Sequence, residues 1–449
     1  MARSRAVTTD AVGAVAVLSV LAVTALWTSN RGIQDLAGPS GGASSLGRLT
    51  GLLSADLLLI QVLLMARLPW VERGFGRDRL ARWHRIAGFI SVNLMLAHVL
   101  LVTLGYAGSV SRFGNELWSL LVDAPGILLA FASMLLLVLV AVTSIRAARR
   151  RLRYESWHLL HLYAYLGIGL AIPHQLWIGT DLTTSGVATA YWWTLYLAAA
   201  ASIIVFRIGV PLARSAYHRL EVAEVVGEAP GVVSVHLRGH RLDRLPVRAG
   251  QFFLWRFLDG PGWSRAHPYS LSAAPRGDRL RITVKDLGAG SARVASLRPG
   301  TRALIEGPFG RLTGEAYGGG RVTMFGCGVG ITPLRSLLEE LPYAAGQATL
   351  VYRIRSDADI VFRDELRELA SDRGIRVIYV PGPRAGDHSW LPSGEPRRDD
   401  VAAIQELVPD LRDHDLYICG PDSWAEAVRT AAITVGVPPS RIHAERFAW

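Results

Sequence analysis

Four histidines carry the first chemistry in this chain. His84 and His98 bound the apolar stretch HRIAGFISVNLMLAH, and His161 and His174 lie in a second, WHLLHLYAYLGIGLAIPH. Imidazole is a common metal ligand, and a polar ring inside a stretch fit to cross a bilayer needs a partner. Fourteen residues advance about 21 Å along a helix and close nearly four turns, so His84 and His98 share a face at two depths. Thirteen residues leave His161 and His174 about 140° apart on an ideal helix. Pro173 removes the bond to the Gly169 carbonyl, and with Gly167 nearby a kink or local rewinding restores a shared face. A hydrogen bond between helices satisfies any one such histidine; four, paired by depth on two helices, point to metal ligation. Zinc gathers its ligands at one point, whereas these pairs stand about 20 Å apart. Two axial imidazoles with room between helices suit haem iron. Arg82, Trp83 and Arg85 flank the inner pair, the arginines serving as propionate partners or as membrane anchors, and His158 reads as interfacial.

The elements that must hold these rings are apolar helices. Runs long enough to span a bilayer core occur near residues 11–27, 50–66, 86–106, 125–144, 159–179 and 189–209, and none follows. Arg3 and Arg5, the segment Arg67–Arg85, the cluster Arg146, Arg149, Arg150, Arg151 and Arg153, and Arg214 with Arg219 are basic, while the loops 28–49, 107–124 and 180–188 carry few positive charges. The positive-inside rule then predicts six spans with both termini cytoplasmic. The first run lacks a small-residue cleavage site and reads as a retained span rather than a signal peptide. The net charge of +11 is almost all arginine, much of it in those loops, so topology explains it and nucleic-acid binding is not expected. The two cysteines, Cys327 and Cys419, fall in the predicted cytoplasmic part and make neither a disulfide framework nor a metal cluster.

Residues 217–449 read as two soluble domains. From 220 to about 312, β-rich stretches separated by Gly, Pro and Asp turns predict a small antiparallel barrel, with HPYSLSAAP inside it. From 318 onward strands alternate with helical patterns, which predicts a parallel sheet. Its first unit, RVTMFGCGVGITPLRSLLEEL, runs a strand into Gly326, Gly328 and Gly330, then Thr332, Pro333 and a helix. Such a turn lets backbone approach a pyrophosphate at a helix N-terminus. It lacks the G-x-G-x-x-G spacing, so taken alone it is equally a tight structural turn.

In this order the histidine spacings, HPYS, GPFG, GCGVGITP, ICGP and the terminal ERF resemble the superfamily of ferric reductases and NADPH oxidases over nearly the whole chain, from about residue 50. The resemblance implies a multi-domain membrane protein: a six-helix transmembrane di-haem bundle (1–215), an antiparallel β-barrel FAD domain (216–315) and an α/β NAD(P) domain (316–449). It implies two b-type haems on His84, His161, His98 and His174. His267, Pro268 and Tyr269 would pack on FAD, with Ser270 near the flavin N5 and Gly250, Gln251 and Phe252 on the preceding strand. Gly288 and Ser291 would close over the FAD pyrophosphate. Gly326, Gly328, Gly330, Thr332 and Pro333 would cradle the dinucleotide, and Cys419, Gly420 and Pro421 would edge the nicotinamide. Arg353 and Arg355 stand where a 2′-phosphate would be met, which favours NADPH while leaving NADH possible. Phe447, or Trp449 in its place, would cover the flavin.

The implied function moves electrons from cytoplasmic NADPH through FAD and the haems to an acceptor outside a plasma membrane, a ferric chelate or dioxygen. In animal oxidases of this superfamily a further histidine lies near the oxygen site; Val102 stands at that place here. The other reading is a membrane-tethered NAD(P)H–flavin reductase serving a cytoplasmic or quinone acceptor. No regulatory partner is indicated, and the bilayer and a small-molecule acceptor are the expected partners.

Overall fold

The computed structural model describes residues 2–149, 151, 154–383, 386, 388–393 and 399–446; Arg150, Arg153, Phe447 and Trp449 lie outside them. The chain divides into two compact units, Met1–Gly209 and Val210–Trp449.

The first unit is helical. Its long helices are α1 (Ala2–Ser29), α2 (Pro39–Met65), α3 (Arg77–Ala107), α4 (Ile127–Ser144), α5 (Tyr154–Trp177) and α6 (Gly186–Ser202). Each covers one of the six apolar runs. Gly108, in the left-handed region, stops α3, and Gly126 in the same region precedes α4. Four stretches, 41–65, 79–107, 127–144 and the continuous helix 186–218, are long and apolar enough to cross a membrane. The apolar part of α1 is shorter, at 13–29. α5 carries His158, His161, His174 and Gln175, which lower its hydropathy, and it continues through Pro173 as helix. Phe89 and Leu128 remain 72% and 66% exposed, a pattern fit for lipid rather than water.

Small residues set the spacing of α2 and α3. A Cβ on Gly47 would lie 2.9 Å from the Val102 nitrogen, and one on Gly105 would lie 2.7 Å from the Ser44 nitrogen. Ser54 donates to the Ser91 carbonyl at 2.8 Å in the same seam. In lipid, where apolar burial gives no drive to associate, close backbone approach of this kind holds helices together. On the other side of α2, Val23 and Trp27 of α1 pack with Leu52, Leu59 and Trp192.

The second unit opens with helix α7 (Val210–His218), whose Ser215 donates to the Ile305 carbonyl at 3.3 Å. Six strands follow: β1 (Glu221–Ala229), β2 (Val232–Arg238), β3 (Phe252–Phe257), β4 (His267–Ser270), β5 (Arg279–Lys285) and β6 (Ala303–Phe309). They make two antiparallel three-stranded sheets, β1-β2-β5 and β4-β3-β6, bridged at Glu221–Arg302 and Leu271–Ile282 around a core that includes Phe253 and Trp255. Then come β7 (Val322–Cys327), helix α8 (Ile331–Glu340), β8 (Ala348–Arg353), helix α9 (Arg363–Arg373), β9 (Arg376–Val380), β10 (Asp415–Gly420) and β11 (Ile442–Arg446). Their parallel sheet has the order β11-β10-β7-β8-β9.

A charged network joins the antiparallel region to the parallel one. Arg281 of β5 grips Glu365 of α9 with two bonds, 2.6 and 2.8 Å, and Arg335 of α8 reaches the same carboxylate at 2.6 Å. Burial alone would push the Glu365 carboxyl up, but hydrogen bonds and charge from Arg281 and Arg335 outweigh it and hold the group below its usual range. A depressed folded value stabilises above the unfolded pKa of about 4.3, and that stability is lost as pH falls through the folded value. Glu365→Gln is therefore expected to destabilise this unit by about 2 kcal/mol near neutrality, below the full figure for a buried pair because the carboxylate is 27% exposed. Urea unfolding at a series of pH values should show wild type and variant converging in acid.

Candidate functional site

One pair of imidazoles is in ring contact. His84 on α3 and His161 on α5 stand with ring centroids 5.8 Å apart and planes inclined by 65°. His98 and His174 lie close enough to interact electrostatically. The first spacing is near what two imidazoles on opposite sides of one metal need, at about 2 Å per metal–nitrogen bond.

Their hydrogen bonds leave the right nitrogens open. His98 Nδ1 lies 2.8 Å from the Gly47 carbonyl, and His84 Nδ1 lies 3.3 Å from the Gln61 carbonyl. A carbonyl only accepts, so Nδ1 carries the hydrogen and the lone pair falls on Nε2. Among the described residues no protein group bonds to either Nε2. A metal-ligating histidine is oriented in this way, through its other ring nitrogen. His161 Nδ1 faces Ser144 Oγ at 3.3 Å, and that oxygen receives the Trp157 indole N–H at 3.3 Å. His174 Nδ1 is buried without a well-formed hydrogen bond, the Ala171 carbonyl being the acceptor it faces. Among the described residues no three His, Cys, Asp or Glu side chains converge on one point. His84 with His161, and His98 with His174, would suit a group that brings further ligands of its own, as a porphyrin does.

Helix α2 builds both sites without lending them a ligand. It supplies the Gly47 and Gln61 carbonyls, and a Cβ on Gly51 would stand 2.5 Å from His98 Nδ1. Sequence reasoning centred on ligands passes over it, although the spacing Gly47-x-x-x-Gly51 is the signal of a close helix pair.

In the second unit the strand order of the parallel sheet reverses once. Strand order runs one way through β8 and β9 and the other way through β10, so it reverses between β7 and β10. Open parallel sheets take ligands at such a switch point, beyond the carboxyl ends of the strands. Gly326 pairs with Cys419 there, and the turn Gly328–Gly330 leads into α8. Gly328 has φ +54°, and a Cβ on Gly330 would run into the Cys419 carbonyl. Gly326 and Gly330 thus stand against Cys419 and Gly420, while a Cβ on Gly328 would meet nothing within 4 Å. Thr332 and Pro333 are buried in the first turn of α8, and the Thr332 hydroxyl bonds the Val329 carbonyl at 3.0 Å. The Cys419 side chain is fully buried; burial, then the charge of Glu445, pushes its thiol well up and keeps it from acting as a thiolate.

The HPYS strand lies beside the 285–291 loop. The His267 and Tyr269 rings stack at 6.1 Å with planes 16° apart, and a Cβ on Gly290 would lie 2.6 Å from His267 Cε1. Pro268 pairs with Leu254 and Ser270 with Phe252, the Ser270 side chain being buried. Gly250, at φ +83°, donates to Ser336 Oγ at 2.9 Å, and the Gln251 carbonyl accepts from the Leu271 N–H at 2.9 Å. Gly288, at φ +142°, and Ser291 close their own loop, Ser291 Oγ accepting from the Leu287 N–H at 2.8 Å and donating to the Gly288 carbonyl at 3.0 Å. Glu445, which the motif reading passes over, meets the segment after β6 by accepting from the Leu312 N–H at 3.4 Å. Phe447 and Trp449 are outside the described residues.

The Arg353 guanidinium is buried and bonds the carbonyls of Ile354, Val380, Gly382 and Pro383, which ties it to the chain after β9. Arg355 is exposed.

Comparison with known proteins finds two family matches. Residues 50–172 match "Ferric reductase like transmembrane component", a stretch holding His84, His98 and His161 and ending two residues before His174. Residues 324–430 match "Oxidoreductase NAD-binding domain". The chain is 32% identical over 212 residues to the ferredoxin reductase component of 3-ketosteroid-9-alpha-monooxygenase from Rhodococcus rhodochrous, covering 46% of this chain and 57% of that protein's length. It is 34% identical over 201 residues to ferredoxin–NADP reductase B of Sorangium cellulosum, covering 42% of this chain and 80% of the relative. The crystal structure of an Amycolatopsis cytochrome P450 reductase aligns over 51% of this chain and 69% of that one, at 25% identity and a TM-score of 0.42.

Proposed function

The chain belongs to the ferredoxin–NADP reductase family through its C-terminal half, with a ferric-reductase-like transmembrane component ahead of it, and from that premise we propose that it is a transmembrane oxidoreductase. It takes electrons from cytoplasmic NADPH, with NADH tolerated, and delivers them to an extracytoplasmic acceptor, a ferric chelate or dioxygen. The first unit crosses a plasma membrane six times with both termini cytoplasmic. Three domains divide the work, at about 1–215, 216–315 and 316–449. When bound, NAD(P)H, FAD and two b-type haems supply hydride and single-electron chemistry.

The residues do the holding. Gly326–Gly330 and the first turn of α8 receive the dinucleotide phosphates, and Cys419–Pro421 limit where the nicotinamide lies. His267 and Tyr269 pack on the flavin, with Ser270 behind them and Gly288–Ser291 closing over its phosphates in a six-stranded barrel. His84 with His161, and His98 with His174, would hold the two haems. The observation that carries this reading is the anchoring of His84 and His98 through Nδ1 to α2 carbonyls, which leaves Nε2 open on both.

A second reading, a tethered flavin reductase with a cytoplasmic acceptor, is favoured by the relatives named as ferredoxin reductase components. Full-length protein in sealed vesicles, nucleotide domain outward, separates the two. The first reading expects NADPH added outside to reduce a ferric chelate trapped inside; reduction of external acceptors alone would overturn it.

A further inference from the structure

Asp56 is an intramembrane carboxyl that neither histidine pair uses. It lies on α2 midway between Gly51, which touches His98, and Gln61, which holds His84, about 7–8 Å of helix rise from each. Its side chain turns from that seam toward α1 and α6. Fully buried, its Oδ1 accepts the Ser19 hydroxyl at 2.7 Å and the Tyr191 hydroxyl at 2.6 Å. Its Oδ2 is buried and bonds nothing among the described residues. Ser19 and the titratable Tyr191 are the groups that face it; among the described residues no charged side chain from α3, α4 or α5 acts on it.

An acid inside a membrane bundle marks an ion or proton pathway by default. Two hydroxyl donors on Oδ1 leave Oδ2 free to take a hydrogen. An electron held on either side of Asp56 adds a negative charge in a medium that screens poorly, and a nearby proton cancels it. We propose that Asp56 is a proton-binding site coupled to electron residence on the carriers held by the two histidine pairs. One O–H bond forms on Oδ2, with a proton drawn from the aqueous phase, as an electron arrives; it breaks as the electron leaves, and no other bond changes.

This rests on the haem reading, and the test keeps the two apart. Haem-loaded full-length protein is titrated spectroelectrochemically between about pH 6 and pH 8, where one proton taken up per two electrons gives an average slope of about 30 mV per pH unit over the two haems. The wild type is expected to show a large part of that slope. Asp56→Asn should flatten it with both haems still visible, and Tyr191→Phe, which removes a donor but keeps the acid, should retain it. An equal slope in Asp56→Asn, or a flat wild type, overturns the proposal. Absence of haem absorbance in the wild type overturns the haem reading as well. Should Asp56→Asn fail to hold haem, Asp56→Glu must hold it and keep the slope, and loss of the slope there overturns the proposal.

Discussion

His98→Leu is expected to cut reduction of the trapped acceptor by more than about 100-fold, since disturbing only the groups around a ligand costs 10- to 100-fold. The argument rests on what leucine removes. The His98 ring is fixed between the Gly47 carbonyl on Nδ1 and an open Nε2, with Gly51 lying against its face. Leucine fills the space against Gly51 but supplies no lone pair, so the packing of α2 on α3 survives while the site with His174 is left one ligand short. Haem content should fall by half. NADPH-driven reduction of a dye on the nucleotide side should stay within about twofold, because the residues proposed to hold the nucleotide belong to the other unit, Val210–Trp449. Unchanged delivery to the trapped acceptor in a variant that has lost half its haem would show that the outer pair is not on the electron path.

The histidine pairs are legible because spacing within a helix fixes face and depth before any neighbour is known. What the ligand positions cannot announce is the helix that holds them: α2 contributes two carbonyls and the absence of side chains at Gly47 and Gly51, and only the four-residue glycine spacing hints at it. Asp56 and Tyr191 each read as an isolated polar residue in an apolar run, and only folding brings their oxygens within 2.6 Å. In the second unit the strand–glycine–helix pattern predicts the turn after β7, whereas the partner surface, Cys419–Pro421, depends on a strand order that places β10 beside β7. The surroundings of Arg353 are hidden for a related reason: only in the folded chain does the segment 380–383 lie over it and accept from its guanidinium.

Gly330→Val should abolish NAD(P)H oxidation, by more than about 100-fold on the scale that small displacements near reacting groups produce. The position has no room: a Cβ there would strike the Cys419 carbonyl and lie 3.0 Å from the Gly420 nitrogen. Both are backbone atoms of a fully buried strand and cannot rotate aside. The turn after β7 must therefore lift from the end of β10, which opens the switch point and displaces the first turn of α8, where the proposed function puts the dinucleotide phosphates. Overpacking of this kind costs about 1–3 kcal/mol, less than a domain's usual stability, so the protein should still fold, and FAD content is the check that it has. Gly326→Ala is the comparison. Its Cβ would meet the end of the flexible Leu334 side chain at 3.2 Å, a contact that a small rotation relieves, so its KM for NADPH should rise less than tenfold and its kcat should hold. A Gly330→Val protein that keeps FAD and oxidises NADPH at the wild-type rate would place the dinucleotide somewhere other than between β7 and β10, and the assignment of Cys419, Gly420 and Pro421 would fall with it.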